Sequence, residues 1–183
     1  MYISKITIEN FRCFGEEDDR VNLSLKGGLT ALVGENEAGK SAVIDALRFA
    51  LGTTDQEWYR LEDTDFRPGT KPDEFKEIKI ICRFEGLSTG DKRAFLEYLT
   101  YGEKAGDAPM LYINWTAKDT GEKHKGQPYR RVDLRSGKNG DGPTLAQEAR
   151  ALLRATYLWC PKCQTTYTVE EAKRLVEQPP SLF

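Results

Sequence analysis

Gly34-Glu35-Asn36-Glu37-Ala38-Gly39-Lys40-Ser41 satisfies every fixed position of the pattern G-x-x-x-x-G-K-[ST]. Glycines at both ends let the backbone curl so that successive N–H groups converge, and a following helix adds the positive end of its dipole. Such a bowl of amides suits a polyphosphate. Lys40 is the mobile charge expected to reach the β and γ phosphates, and the Ser41 hydroxyl is the expected protein ligand of a Mg²⁺ ion. The candidate contact for ATP and Mg²⁺ is therefore Gly34, Glu35, Asn36, Glu37, Ala38, Gly39, Lys40 and Ser41, together with Ala42 at the helix start. Glu35 and Glu37 are unusual in a phosphate cradle, so their side chains are expected to face solvent. Asn36 is the residue able to take a positive φ if the loop needs one.

The flanks fit a strand–loop–helix unit. Residues 28–33 read as a short buried strand, residues 42–51 as a helix, and Gly52 stands where a C-terminal cap belongs. Upstream, residues 2–9 alternate with Ser4, Ile6 and Ile8 on one side, and residues 21–25 give a second strand. Downstream, residues 53–72 are polar and read as a long connection, followed by a half-buried strand over 77–84. Ser88 and Asp91 have capping-box spacing for a helix over 88–101. Two strands, 110–118 and 127–134, are expected to join through the Asp119-Thr120-Gly121 turn. A loop over 137–143 then leads to a helix over 144–156, with Leu145, Ala149, Leu152 and Leu153 on its apolar stripe. Strands ahead of the first helix imply an α/β fold whose mixed sheet has antiparallel strands flanking a parallel core, with the phosphate loop leaving a core strand.

Composition bounds the partners. At 183 residues the chain suits one domain, or one with an appendage. A net charge of -2 gives no global attraction to nucleic acid or to anionic membrane. The most basic stretch, 118–138, carries Lys118, Lys123, Lys125, Arg130, Arg131, Arg135 and Lys138; it reads as a solvated hairpin face or as a DNA-facing patch. Tyr112, Trp115 and Tyr129 read as strand core or as stacking positions for single-stranded nucleic acid. No apolar run approaches the roughly 20 residues of a membrane span, and the N-terminus lacks signal-peptide order. Four cysteines with Cys13 and Cys82 isolated give no disulfide framework, so a cytoplasmic location is expected. A small GTPase is disfavoured because no N-K-x-D motif is present.

The opening Ile6-Thr7-Ile8-Glu9-Asn10-Phe11-Arg12 followed by this phosphate loop resembles the first lobe of the RecF/SMC-type ABC ATPases. Residues Ile44 to Thr53, then Gln56-Glu57-Trp58, Asp65-Phe66, Phe84 to Ser88, and Arg150 to Leu158, are similar to the N-terminal ATPase lobe of the OLD family of ATP-dependent endonucleases. The likeness covers residues 1–158. By that resemblance the fold is a P-loop NTPase lobe of ABC or SMC-head type, and a full-length relative pairs it with a Toprim nuclease domain that cuts DNA using acidic residues and divalent metal. The resemblance also implies a second ATPase subunit or a homodimer, and it brings Arg12 near the nucleotide, where the bland alternative is a surface arginine. Gln56 is not assigned.

An ABC-type head further needs a signature loop and a Walker B strand ending in acids. Leu87-Ser88-Thr89-Gly90-Asp91 imitates the former but reads as a helix start, and no apolar run ending in paired acids comes after it. With only the cradle, Lys40 and Ser41 present, hydrolysis and DNA cutting by this chain alone are not expected. Over 159–183 the pattern breaks. Cys160 and Cys163 form a C-x-x-C, half of a four-ligand Zn²⁺ site that a second copy would complete; a redox pair and a tail of foreign origin stay open. Thr168 and Glu171 box a short helix to about residue 178. The alternative to a nucleotide-binding lobe is a non-catalytic interaction or regulatory module dimerising through a C-x-x-C zinc hook.

Overall fold

The computed structural model describes residues 1–28, 30–52, 61–68, 77–104, 106–160 and 165–168. Its body is a six-stranded sheet, β2-β1-β3-β5-β4 with β6 also on β5. The strands are β1 (Tyr2–Glu9), β2 (Val21–Ser24), β3 (Glu77–Glu85), β4 (Leu99–Thr100), β5 (Met110–His124) and β6 (Gln127–Arg135). Among the described residues three α-helices accompany it: α1 (Lys40–Leu51), α2 (Thr89–Ala94) and α3 (Gln147–Thr156). A separate hairpin pairs β7 (Tyr157–Cys160) with β8 (Thr165–Thr168).

Alternation builds the core. Ser4, Ile6 and Ile8 of β1, Ile78, Ile80, Cys82 and Phe84 of β3, and Leu111, Ile113, Trp115 and Ala117 of β5 are buried together. Burying each large aliphatic or aromatic side chain contributes about 1.5–3 kcal/mol. Against that face α1 sets Ala42, Val43, Ala46, Ala50 and Leu51. The small alanines bring the helix close to the sheet, and Phe49 meets Phe11 edge-on (5.9 Å between ring centres) and Trp115 in a tilted stack (5.2 Å). From α3, Leu145 just ahead of it, Ala149 and Leu153 close the layer, whereas Leu152, expected on the stripe, is 39% exposed.

Every ladder among the described residues is antiparallel. The parallel core anticipated for the sheet is therefore not formed by them, and the physical reason lies at residues 30–33. They join no ladder, and Val33 is 94% exposed. An extended segment becomes a strand only when neighbouring chain satisfies its N–H and C=O groups, and no described strand pairs with this one.

Three other boundaries move for local reasons. The helix expected over 88–101 stops at Ala94, and the chain tightens into a 3₁₀ turn, Leu96–Tyr98, that turns Phe95 and Tyr98 inward, three residues apart. β5 runs on to His124, because the reversal is made by Lys125 and Gly126, both at positive φ (51° and 81°), as a two-residue hairpin turn needs. The Asp119-Thr120-Gly121 segment is instead a register irregularity within the hairpin, held by Gly121 N–H to Asp119 Oδ1 (2.9 Å) and Thr120 Oγ1 to the Tyr129 carbonyl (2.8 Å). The third helix begins at Gln147, since Thr144 and Leu145 stay extended beside Arg135 and Leu134. Residues 53–60 and 69–72 of the long connection, with Gln56 and Trp58, and the helix expected from Thr168 to about 178, lie outside the described residues apart from Thr168 itself.

Candidate nucleotide-binding site

The loop at 34–39 leads straight into α1, whose N-capping residue Gly39 lies in the left-handed region (φ 81°) and offers no side-chain cap. The first N–H groups of the helix are thus left for a ligand or for water. Ala38 N–H bonds back to the Glu35 carbonyl at 3.3 Å, closing a tight turn. Into that turn Lys40 folds its side chain, donating from Nζ to the carbonyls of Gly34 (2.8 Å) and Glu35 (2.5 Å). A cation sits where the loop curls.

Positive φ falls on Glu37 (69°), not on Asn36. For an L-residue that region costs roughly 1–2 kcal/mol. The Glu35 and Glu37 side chains are exposed, as is Ser41 on the first turn of α1, while Ala42 is buried and packs into the core.

Gly39 is fixed from outside the loop as well. A Cβ placed on it would stand 2.7 Å from two ring atoms of Phe14 and 2.9 Å from Cys13 Sγ. Residues 10–15 therefore press directly on the end of the cradle. That turn carries two more left-handed residues, Asn10 (φ 56°) and Arg12 (φ 53°), around the fully buried Phe11.

Arg12 is clamped by carboxylates from two elements. Its Nε donates to Asp65 Oδ1 at 2.9 Å and an Nη to Asp45 Oδ2 at 2.5 Å, and Asp45 also accepts from Arg48 at 2.7 Å. Asp65 takes in addition the Glu62 N–H (2.9 Å) and, through its carbonyl, the Arg12 N–H (2.9 Å). Sequence reading missed Asp45, Asp65 and Phe14. Only helical spacing hinted at Asp45, four residues after Ser41 and so on the same side of α1.

The remaining candidates lie apart. Cys160 ends β7, and Cys163 falls outside the described residues, among which no group of three or more His, Cys, Asp or Glu gathers as a metal site. On the β5–β6 hairpin Arg130 pairs with Asp63, and Arg131 with Asp133 at 3.0 Å. Tyr112 and Trp115 are buried, whereas Tyr129 is 47% exposed. No described helix is long and apolar enough to cross a membrane.

A family model described as an AAA domain matches residues 5–178. The chain belongs to that family. Within it the chain is an AAA/ABC-type ATPase domain of the SMC and Rad50 kind. It is 30% identical over 176 residues to the chromosome partition protein Smc of Clostridium kluyveri, a match that takes in 84% of this chain and 14% of that protein. It is 33% identical over 88 residues to the DNA double-strand break repair Rad50 ATPase of Thermoplasma volcanium, covering 48% of this chain and 9% of that one. A solved structure from work on ATP-driven dimerization and DNA stimulated activation of SMC ATPases superposes with a TM-score of 0.51 at 17% identity, over 98% of this chain and 93% of that chain. The chain thus has an SMC-head-like P-loop fold and spans a small part of its curated relatives.

Proposed function

We propose that this chain is the ATP-binding lobe of an OLD-like ATP-dependent DNA endonuclease, and that it needs a second lobe to hydrolyse ATP. The observation that supports nucleotide binding is the Lys40 ammonium held at the curl of the loop by the carbonyls of Gly34 and Glu35. The narrowing from SMC and Rad50 relatives to OLD rests on the segments around 44–53, 65–66, 84–88 and 150–158. In this reading the main-chain amides of 35–41 hold the phosphates, Lys40 turns from the loop carbonyls to the β and γ oxygens, and Ser41 holds Mg²⁺. Mg²⁺ held there by Ser41 would supply neutralisation of the phosphate charge. The protein side of the site fits both, since Gly39 leaves no room for a side chain and Ser41 stands exposed.

Acids to orient water, and the groups that close over the γ phosphate, come from a second ATPase polypeptide. DNA is reached only through such an assembly. A steady-state ATPase assay on the purified chain tests this. Background turnover in the presence of MgATP agrees with the reading. Turnover of about 1 s⁻¹ or more, abolished by Lys40→Ala, overturns it.

A further inference from the structure

We infer that Asp65 is a positioning residue for the phosphate loop, acting through Arg12; the inference rests on the nucleotide-site reading above. Asp65 grips Arg12 twice, by its carbonyl on the Arg12 N–H and by its carboxylate on Nε, and its side chain is only 6% exposed. The grip matters because Arg12 stands at φ 53°, a conformation an arginine abandons unless its neighbours enforce it. Next along the chain come Cys13 and Phe14, the two side chains seated on Gly39.

A chain of contacts therefore runs from Asp65 through the strained turn to the residue preceding Lys40. Asp45 closes the circuit from the other side. It holds the same guanidinium from α1, the helix that opens with Lys40 and Ser41. The connecting segment that carries Asp65 is further bound to the turn by Arg67 N–H to the Asn10 carbonyl (3.1 Å) and by the Phe11–Phe66 bridge. If the turn relaxes, Phe14 and Cys13 leave Gly39 and the amides of the cradle lose their alignment.

The experiment uses the full chain with Asp65→Asn, which keeps shape and removes charge, and reads two quantities. The first is the MgATP dissociation constant. The second is the hydrogen-exchange rate of the Arg12 amide without nucleotide, whose N–H donates to the Asp65 carbonyl, a bond the side-chain change leaves available and that opens only if the turn relaxes. The dissociation constant is expected to rise about tenfold, with the Arg12 amide exchanging severalfold faster and an unchanged circular-dichroism spectrum. A dissociation constant within about twofold of the unaltered chain overturns the inference, and so does an unchanged Arg12 exchange rate. Should Asp65→Asn fail to fold, Phe14→Leu lifts the ring from Gly39 directly; normal MgATP affinity in that variant overturns the inference equally. Failure of the unaltered chain to bind MgATP overturns the nucleotide reading instead, and the Arg12 exchange rate still decides whether Asp65 sets the turn.

Discussion

The Lys40 ammonium donates to the carbonyl oxygen of Gly34 at 2.8 Å, across the mouth of the loop that both residues delimit. Six residues apart in sequence, they are brought together by the turn at Ala38 and the left-handed Gly39. Both groups are solvent-exposed, so water replaces this bond at little cost. Lys40→Ala is therefore expected to change stability by less than about 0.5 kcal/mol, measured by urea denaturation. A loss of several kcal/mol would mean that Lys40 is a structural strut and not a group held ready for an anion.

Glu37 gives a prediction of opposite sign. It occupies φ 69° although it carries a side chain. Glu37→Gly removes that strain and loses part of the gain to the greater freedom of glycine in the unfolded chain. The expected result is a net stabilisation of about 0.5–1 kcal/mol in the same denaturation experiment. Destabilisation would show that the loop holds another conformation.

Gly39→Ala meets both obstacles at once. The new methyl would stand 2.7 Å from the Phe14 ring and 2.9 Å from Cys13 Sγ, at φ 81°. Overpacking and left-handed strain together are expected to cost at least about 2 kcal/mol. MgATP affinity should fall with it. Crystallography of the variant would show Phe14 displaced; an unmoved ring with unchanged stability contradicts the packing.

Cys82 is fully buried in β3, and burial raises its thiol from the ordinary 9.0 to about 12. The folded state thus holds the proton more tightly than the unfolded chain. Its contribution to stability is complete below the unfolded value and is lost as pH rises through the folded one, between about 9 and about 12. Cys82→Ala should flatten this alkaline loss in denaturation midpoints measured across that range. Native-state alkylation at neutral pH should spare Cys82 and modify the exposed Cys13.

Much of this architecture is legible in the amino-acid order, because it rests on local periodicity. The alternation in β1 and β3, the Gly52 cap (φ 62°, N–H to the Arg48 carbonyl at 2.9 Å) and the Ser88–Asp91 capping box are decided by residues within reach of one another. Leu87-Ser88-Thr89-Gly90-Asp91 opens α2 as a helix start, where Ser88 Oγ accepts the Asp91 N–H at 3.1 Å. Long-range facts were hidden. Nothing local marks residues 30–33 as unpaired, because an apolar run reads as a buried strand whether or not its neighbours belong to the described chain. Likewise Arg12, Asp45 and Asp65 meet only after the connection folds back on the first turn, and Phe14 reaches Gly39 only through that fold.

The central claim is that residues 34–41 grip a polyphosphate, and isothermal titration of MgATP into the purified chain and its Lys40→Ala variant tests it most directly. The account predicts saturable, Mg²⁺-dependent binding by the unaltered chain, weakened at least about tenfold or lost in the variant. Equal affinity in both, or none in either while the chain remains folded, would contradict it.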